Sequence, residues 1–209
     1  MKKKGCIENL RSVFLTKEKI SMKISFFLFM ACSFVFAWEF TDSRDGQTYR
    51  TVKIGNQIWM AENLNYKTEE GSWCYVDREK NCEKYGRLYT WEAAKKACPA
   101  GWHLPTEEEF SELYQFVGGT RVAAKKLKSK SGWEYNGNGL DDYGFSVLPA
   151  GSRPYFGSFD GEGKVAYFWS ASEDYSNYAW YESFGFGYEN VFRNSLNKVS
   201  WHSVRCLKD

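Results

Sequence analysis

The chain has 209 residues, a formal net charge of +2 at pH 7 and an aromatic content of 19%. Residues 1–37 carry seven Lys and Arg against two Asp and Glu, so the remaining 172 residues have a net charge of −3. This balance excludes a basic face of the kind that binds nucleic acid or an anionic membrane, and the length suits one domain with a sizeable core.

Residues 22–37 have the pattern of a secretory signal peptide. Lys23 supplies a short positive region, residues 24–36 form an uncharged apolar run, and Ala37 completes a V-x-A cleavage pattern. The run is shorter than the ~20 residues that span a bilayer, so no permanent transmembrane helix is predicted. We expect cleavage before Trp38 and a secreted, periplasmic or cell-surface protein.

Two features of this leader leave alternatives open. Residues 1–21 are basic and have no apolar period, so they are either an extension upstream of a start at Met22 or an overlong n-region. Cys32 is a candidate lipid-anchor site of the lipoprotein type. Because the residues after Cys32 are mostly apolar, whereas a lipoprotein usually continues with a polar tether, the cleaved signal peptide is favoured.

Four cysteines follow the leader: Cys74, Cys82, Cys98 and Cys206. An even number of cysteines in an exported chain predicts two disulfides, for which three pairings are possible. Cys74 and Cys82 flank a polar loop that is short enough for a hairpin tip, and their pairing would leave the other two cysteines for each other. The spacing contains no C-x-x-C pair and no nearby histidine, so no metal site is predicted.

The domain begins with a predicted β-hairpin, and helices follow. Residues 48–54 alternate and are rich in β-branched side chains, Gly55-Asn56 makes a turn, and residues 57–60 return. Thr90 is placed to cap a short helix over residues 91–97.

A second and a third helix are predicted further along the chain. Thr106 and Glu109 form a capping box, and Gly118-Gly119 ends the helix that follows. Thr120 is expected to cap a short basic helix that ends at Leu127. After residue 131 the pattern is that of short aromatic strands between glycines and asparagines, at 145–148, 166–170, 179–184, 190–193 and 203–207. A hairpin, then helices, then many strands describe an α+β domain with antiparallel sheets.

Five unusual strings occur along the chain. They are DGQTYRTVKIGNQIWMAENLNY (45–66), WCYVDREKNCEKYGRLYTWEAAKKACPAGWHLPTEEEF (73–110), GWEYNGNGLDDYGFSVLPAGSR (132–153), FWSAS (168–172) and VRCLKD (204–209). In this order they resemble the Fibrobacter succinogenes major paralogous domain family, over about the whole of residues 40–209. The domain is accordingly assigned to residues 48–209, after an N-terminal lead-in at residues 38–47.

The resemblance implies a fold but no activity. The family is similar to the C-type-lectin-like superfold shared with formylglycine-generating enzymes, in which two helices pack on a twisted antiparallel sheet and the termini meet. It implies two to three short helices here, long C-terminal loops and two disulfides. A helix cysteine bridged to the last strand belongs to that fold, which fits Cys98 and Cys206. Since the family carries no established activity, the function stays open.

No catalytic centre is predicted. The Glu-Pro-Asn, Gln-Pro-Asp and Trp-Asn-Asp signatures of calcium-dependent lectins are absent from the sequence, as is the G-x-S-x-G of hydrolases. Formylglycine-generating enzymes need a cysteine pair in the C-terminal half, where this chain has only Cys206. The two histidines, His103 and His202, are interpreted as structural. We therefore expect no enzymatic activity and no cofactor.

One polar loop is a candidate calcium site. Residues 136–142, NGNGLDD, offer four hard oxygen side chains on a flexible backbone, which Ca²⁺ prefers. The loop lacks the EF-hand order, and an Asx-rich turn that bonds its own backbone is the favoured alternative. Aromatic side chains nearby form either a platform for a glycan or part of the core. The candidate ligand-binding residues are Trp133, Tyr135, Asn138, Asp141, Asp142 and Tyr155.

Two functions from different classes follow. The first is a non-catalytic surface or secreted module that recognises a polysaccharide or a cell-surface protein through its long C-terminal loops, since loops on a rigid scaffold commonly carry binding. The alternative is an extracytoplasmic enzyme that acts on carbohydrate or sulfur chemistry. A glycan-binding survey run beside a hydrolase screen separates the two.

Overall fold

The computed structural model describes residues 38–155 and 157–209. These residues form four α-helices and thirteen β-strands, which confirms the α+β class. The predicted signal peptide, the alternative start at Met22 and the candidate lipid-anchor site at Cys32 lie outside the described residues.

The smaller sheet has five strands and contains the predicted hairpin. Its strand order is β1 (Trp38–Thr41), β2 (Thr48–Ile54), β3 (Gln57–Met60), β13 (Leu207–Lys208) and β6 (Trp102–His103). The hairpin has the predicted bounds, and β1 comes from the predicted lead-in. Because β13 inserts between β3 and β6, the two ends of the described domain meet in one sheet.

The larger sheet has eight strands and is mixed rather than wholly antiparallel. They are β4 (Ser72–Trp73), β5 (Leu88–Tyr89), β7 (Ala150–Ser152), β8 (Asp160–Glu162), β9 (Val165–Tyr175), β10 (Tyr178–Gly185), β11 (Phe192–Asn197) and β12 (His202–Ser203). The main path runs β11-β10-β9-β12-β5-β4. Strands β7 and β12 pair with β9 in parallel, because long connections rather than hairpins bring them to it.

Four helices are present, where two to three were predicted: α1 (Glu79–Tyr85), α2 (Trp91–Ala97), α3 (Glu107–Phe116) and α4 (Thr120–Leu127). The additional helix is α1, in the segment predicted as a hairpin tip. Cys82 and Tyr85 lie three residues apart on α1 and are both buried, so this helix presents one face to the core.

The helix caps agree with the sequence pattern in one case out of three. The capping box of α3 is confirmed, since the Glu109 amide donates to Thr106 Oγ1 at 3.3 Å and the Thr106 amide donates to Glu109 Oε2 at 2.8 Å. Thr90 takes the cap position of α2 without a side-chain cap bond. The prediction for Thr120 is wrong, because Gly119, at a φ of 98°, takes the cap position and Thr120 is the first residue of α4.

The predicted strand at residues 145–148 is also wrong. Within it, Val147 makes only an isolated bridge to Lys128. The alternation of apolar and polar residues in this segment reflects burial rather than pairing with a neighbouring strand, since Phe145 and Val147 both face the core. An extended segment that packs on other elements and a paired strand share the same period of two, so the sequence pattern does not distinguish them.

Two aromatic-rich clusters form the core. One packs α3 and α4 against the sheets around Trp59, Phe110, Phe145 and Phe168. The other surrounds α2, with Trp91 and further fully buried rings, including Tyr49, Tyr89 and Trp169. Much of the aromatic content is therefore structural, which leaves the exposed rings as the informative ones.

Both disulfides are present, as Cys74–Cys82 and Cys98–Cys206, with sequence separations of 8 and 108 residues. The second joins the end of α2 to the residue before β13. Two disulfides indicate an extracytoplasmic protein. Within the ranges that the structure describes, no helix has the length and apolar character needed to cross a membrane.

Arg205, beside the long disulfide, is fully buried without a carboxylate within ion-pair distance among the described residues. Its guanidinium donates to Asn63 Oδ1 at 2.6 Å and to the backbone oxygens of Met60 and Phe145. The rings of Phe145 and Phe168 lie 4.6 and 5.4 Å from it. Burial disfavours the charged form and lowers the pKa of Arg205 to about 9. The Asn63 amide oxygen and the two backbone carbonyl oxygens accept its hydrogen bonds and stabilise the charge in the core.

Candidate ligand-binding surface

The turn between β10 and β11, residues 186–191, presents aromatic side chains to solvent. Phe186 and Tyr188 lie in the turn and Phe192 begins β11, with 37%, 55% and 45% of their surfaces exposed. The rings of Tyr188 and Phe192 are 5.2 Å apart and nearly perpendicular. A group of exposed large apolar side chains marks an interaction site more often than single exposed residues do.

Tyr135 adds a fourth ring from the polar loop that precedes β7. It is 71% exposed, and its ring lies 5.2 Å from that of Phe186 at a tilt of 46°. We call the four rings of Tyr135, Phe186, Tyr188 and Phe192 the aromatic surface. It consists of two ring pairs, one between the polar loop and the turn and one between the turn and the start of β11.

Two glycines let the polar loop pack closely on its neighbours, Gly137 on this turn and Gly139 on the end of α4. A Cβ atom at Gly137 would lie 2.7 Å from the Cα and carbonyl oxygen of Phe186. A Cβ atom at Gly139 would lie 2.3 Å from the carbonyl oxygen of Lys128. Side chains do not fit at these distances, so the N-G-N-G pattern is required by close approach of two backbones.

A buried lysine side chain donates hydrogen bonds to the backbone of this turn. Lys128, 2% exposed, follows the last residue of α4. Its Nζ donates to the carbonyl oxygens of Gly185, Phe186 and Tyr188, at 3.0, 3.4 and 3.0 Å. Burial lowers the pKa of Lys128 to about 8. All three acceptors belong to the end of β10 and the turn that follows.

Backbone hydrogen bonds anchor the same turn at both ends. The Phe186 amide donates to the carbonyl of Lys164 at 2.8 Å, and the Val191 amide donates to the carbonyl of Thr120 at 2.9 Å. The rings are therefore carried by a backbone that is fixed before any ligand arrives. Preorganisation of this kind reduces the entropy lost on binding.

The charges around the aromatic surface are balanced. Lys164 lies 4.0 Å from Glu134, and Lys125 lies 3.7 Å from Glu189. Each pair joins one cation to one carboxylate at an exposed position, so it contributes little net field. These two pairs therefore add no large net charge at the margin of the aromatic surface.

The Fibrobacter succinogenes major domain matches residues 52–208 of the chain. This protein belongs to that family. The comparison with curated proteins and the comparison with solved structures gave no match. All four rings of the aromatic surface lie inside the matched residues, so the surface is part of the family domain and not of an appended segment.

Within the family domain, Trp133 is a core residue and not a surface ligand-binding one. It is 5% exposed, and its Nε1 donates to Ser129 Oγ and to the carbonyl of Val147. Its amide donates to Asn138 Oδ1 at 3.1 Å. The prediction that Trp133 binds ligand is therefore withdrawn, because an indole with a satisfied N–H in the core offers no free face.

The candidate calcium loop uses its oxygens internally. Asp141 accepts from the Ser146 amide at 2.7 Å and from Ser146 Oγ at 2.6 Å, one bond at each carboxylate oxygen. Asn138 Oδ1 is occupied by the Trp133 amide, and Asp142 is exposed. This geometry favours the self-bonded Asx turn over a calcium site, since a carboxylate that holds its own loop has fewer lone pairs for a metal.

Tyr155 lies apart from this loop. With Tyr178, Leu196 and Asn197 it lines a groove of about 350 Å³. The structure thus separates two predicted ligand-binding tyrosines, placing Tyr135 on the aromatic surface and Tyr155 in a second recess.

Sequence reasoning missed Phe186, Tyr188 and Phe192. A signal for them exists in the string FGFGY at residues 184–188, where aromatic residues alternate with glycines directly after a strand. Glycine next to exposed rings indicates a tight turn that displays them. The strands predicted at 179–184 and 190–193 leave Phe186 and Tyr188 in the connection between them and place Phe192 in a strand, so the pattern assigns these rings no surface role.

The buried carboxylate Glu182 is the strongest candidate for an acid–base group. Burial raises its pKa, and Arg193 opposes the rise. Arg193 Nε donates to Glu182 at 2.7 Å, and its other nitrogens contact the Glu107 carboxylate and backbone. The arginine therefore ties both carboxylates together between α3 and β10, which is the geometry of a structural ion pair.

Two further polar clusters are also accounted for by structure. His103 bonds Glu109 at 2.8 Å and Asp209 at 2.6 Å, and these bonds raise its pKa although burial opposes them. Cys74, Glu79 and Cys82 lie close enough for metal ligation, but the two sulfurs are joined in a disulfide. A disulfide supplies no thiolate ligand.

Proposed function

We propose that this protein is an exported, non-catalytic binding module that recognises a polysaccharide through its aromatic surface. The observation that carries the proposal is the two pairs of exposed rings that meet at one anchored turn. Rings that stay exposed in a chain with so many buried ones serve contact with a partner rather than the core.

The composition of the surface suits a neutral glycan. The C–H faces of pyranose rings are apolar and stack on aromatic side chains, while their hydroxyls need donors and acceptors at the margin. The tyrosine hydroxyls, the exposed Asn136 and the Glu134–Lys164 pair supply such groups beside the rings. Neutral β-1,4-linked glycans present such apolar faces along an extended chain, and they are the class that we propose.

We infer a C-type-lectin-like fold and an exported location as parts of the same proposal. The bridge between Cys98 and Cys206 and the meeting of the domain ends in one sheet support the fold. An experimental structure that superposes on no C-type-lectin-like domain would contradict it. Export is tested by mass spectrometry of the N-terminus, where Trp38 is expected and a lipid-modified Cys32 would overturn the cleaved signal peptide.

A binding survey tests recognition. The panel contains three insoluble neutral β-1,4-glycans (glucan, xylan and mannan), with polygalacturonate and chitosan as charged counterparts. We expect retention on at least one neutral glycan, and roughly tenfold weaker binding after Phe186→Ala or Tyr188→Ala, since about 1.4 kcal/mol corresponds to tenfold. Tyr175→Ala is the control, because Tyr175 is an exposed ring at the end of β9 that does not belong to the aromatic surface.

Three outcomes would overturn the proposal. Binding that the ring substitutions leave unchanged would place recognition elsewhere, and selective capture of a protein with no glycan binding would change the ligand class. Release of reducing sugar from any panel member would favour the alternative, an extracytoplasmic enzyme acting on carbohydrate.

A further inference from the structure

The ammonium of Lys128 contacts no carboxylate within ion-pair distance among the described residues, and its three hydrogen bonds all go to backbone carbonyls of one short segment. That segment, residues 185–188, carries two of the four rings of the aromatic surface. The lysine reaches it across 57 to 60 residues of sequence. A side chain that collects three carbonyls of a turn determines the shape of that turn.

A buried cation without a carboxylate partner is an expensive way to stabilise a core. An apolar side chain of similar length would fill the same space without desolvating a charge. Such a side chain could not turn three carbonyl groups toward one point. The Trp133 ring, with its centroid 4.9 Å from Nζ, adds a further contact that suits a cation.

We propose that Lys128 is the positioning residue of the aromatic surface, and that its positive charge keeps Phe186 and Tyr188 in the geometry that binds glycan. This inference rests on the proposed function. A neutral amine has two N–H groups for three carbonyl oxygens, so at least one acceptor loses its partner on deprotonation and the remaining bonds lose their charge assistance.

The charged groups that face Lys128 are few. Lys125, on its own helix, lowers the pKa of Lys128 further, and Glu189, on the facing turn, raises it. Glu134 and Lys164, on the adjoining segments, are paired with each other. With the pKa of Lys128 at about 8, the charged fraction falls from about nine tenths at pH 7 to about one tenth at pH 9.

The first measurement needs no ligand. The amide ¹⁵N signals of Phe186, Gly187 and Glu189, whose nitrogens adjoin the three carbonyls, are followed by NMR from pH 6 to pH 9.5. We expect one shared midpoint near pH 8 in the unsubstituted protein. The midpoint should vanish in Lys128→Met and persist in Lys130→Met, since Lys130 is exposed two residues away. Signals of the unsubstituted protein that do not titrate would overturn the inference.

The second measurement follows binding to the neutral β-1,4-glycans across the same range. Apparent affinity should fall toward one tenth between pH 7 and pH 9, because only the charged form presents the binding geometry. Lys128→Arg should restore binding at pH 9 relative to Lys128→Met. Affinity that stays constant while the amide signals titrate would overturn the positioning role and leave the proposed function intact. Titration of the turn without glycan binding at any pH would instead remove the proposed function on which the inference rests.

Discussion

The imidazole of His202 lies fully buried in a box of three rings. Its centroid is 4.3 Å from that of Trp169, 5.0 Å from Tyr181 and 5.1 Å from Tyr167. Neither ring nitrogen has a hydrogen-bond partner of good geometry among the described residues. Burial therefore lowers its pKa to about 3, although the backbone of Trp201 acts in the opposite direction. The histidine packs among these rings as a neutral aromatic side chain.

This burial predicts a stability that depends on pH. In the unfolded chain His202 takes up a proton below about pH 6.5, whereas in the folded protein it stays neutral down to about pH 3. Stability should therefore fall as the pH drops through this window, by up to ~1.4 kcal/mol per unit. His202→Phe should remove this slope, which urea unfolding between pH 7.5 and pH 4.5 will measure. Parallel stability curves for the two proteins would contradict the burial of a neutral histidine.

At Thr106 a second prediction concerns a single hydrogen bond. Thr106→Ala removes the acceptor for the Glu109 amide at the start of α3 and should lower the free energy of unfolding by about 1 kcal/mol. Thr90→Ala is the matched control, because Thr90 takes the same cap position on α2 without a side-chain cap bond. Chemical denaturation measures the free energy of unfolding of both variants. An equal loss of stability in the two would argue against a capping role for Thr106.

At the scale of elements, the polar loop and the aromatic turn form one packed unit. Gly137 allows the loop backbone to touch the turn, Gly139 allows it to touch the end of α4, and the Lys128 side chain donates to the carbonyls of the turn. The loop that was a candidate metal site is therefore better described as the support of the aromatic surface. Asn138 and Asp141 hold the loop itself, while its exposed ring, Tyr135, joins Phe186.

Because of this packing, an alanine substitution should cost different amounts of stability at the two glycines near Phe186. Gly137→Ala introduces a methyl group 2.7 Å from the Phe186 backbone and should cost about 1–3 kcal/mol of stability through overpacking. Gly187→Ala, in the turn itself, meets no atom within 4 Å and should change stability by less than about 0.5 kcal/mol. Urea midpoints of the two variants test the difference. If Gly187→Ala were the more damaging change, the loop would not be the support proposed.

Over the whole molecule, the long disulfide joins the helical half to the strand that closes the smaller sheet. On the chain-entropy model, a loop of 108 residues is worth about 4–5 kcal/mol and a loop of 8 residues about 2–3 kcal/mol. Removing Cys98–Cys206 should therefore destabilise the protein more than removing Cys74–Cys82.

Paired substitutions test this without leaving unpaired thiols. Cys98→Ser with Cys206→Ser is compared with Cys74→Ser with Cys82→Ser, in oxidised protein at one pH. The first should show the lower melting temperature, because strand β13 would then depend on its short ladder and a few apolar contacts. Equal melting temperatures would contradict the chain-entropy argument, and a peptide map joining Cys74 to Cys206 would contradict the pairing.

Several features were determined by the sequence alone. The hairpin at residues 48–60, the helix over 91–97 and the capping box at Thr106 depend on residues within a few positions of one another, so a local pattern suffices to predict them. The family assignment also came from the sequence, through strings that later matched as one domain.

Only the tertiary structure decided which rings face solvent and what holds them there. Trp133 and Tyr135 are two residues apart in one loop, yet one is core and the other is exposed. Lys128 and Arg205 look like surface charges in the sequence, and each is buried because backbone carbonyls from distant segments converge on it. Burial and such convergence depend on contacts across more than fifty residues, and no local period records them.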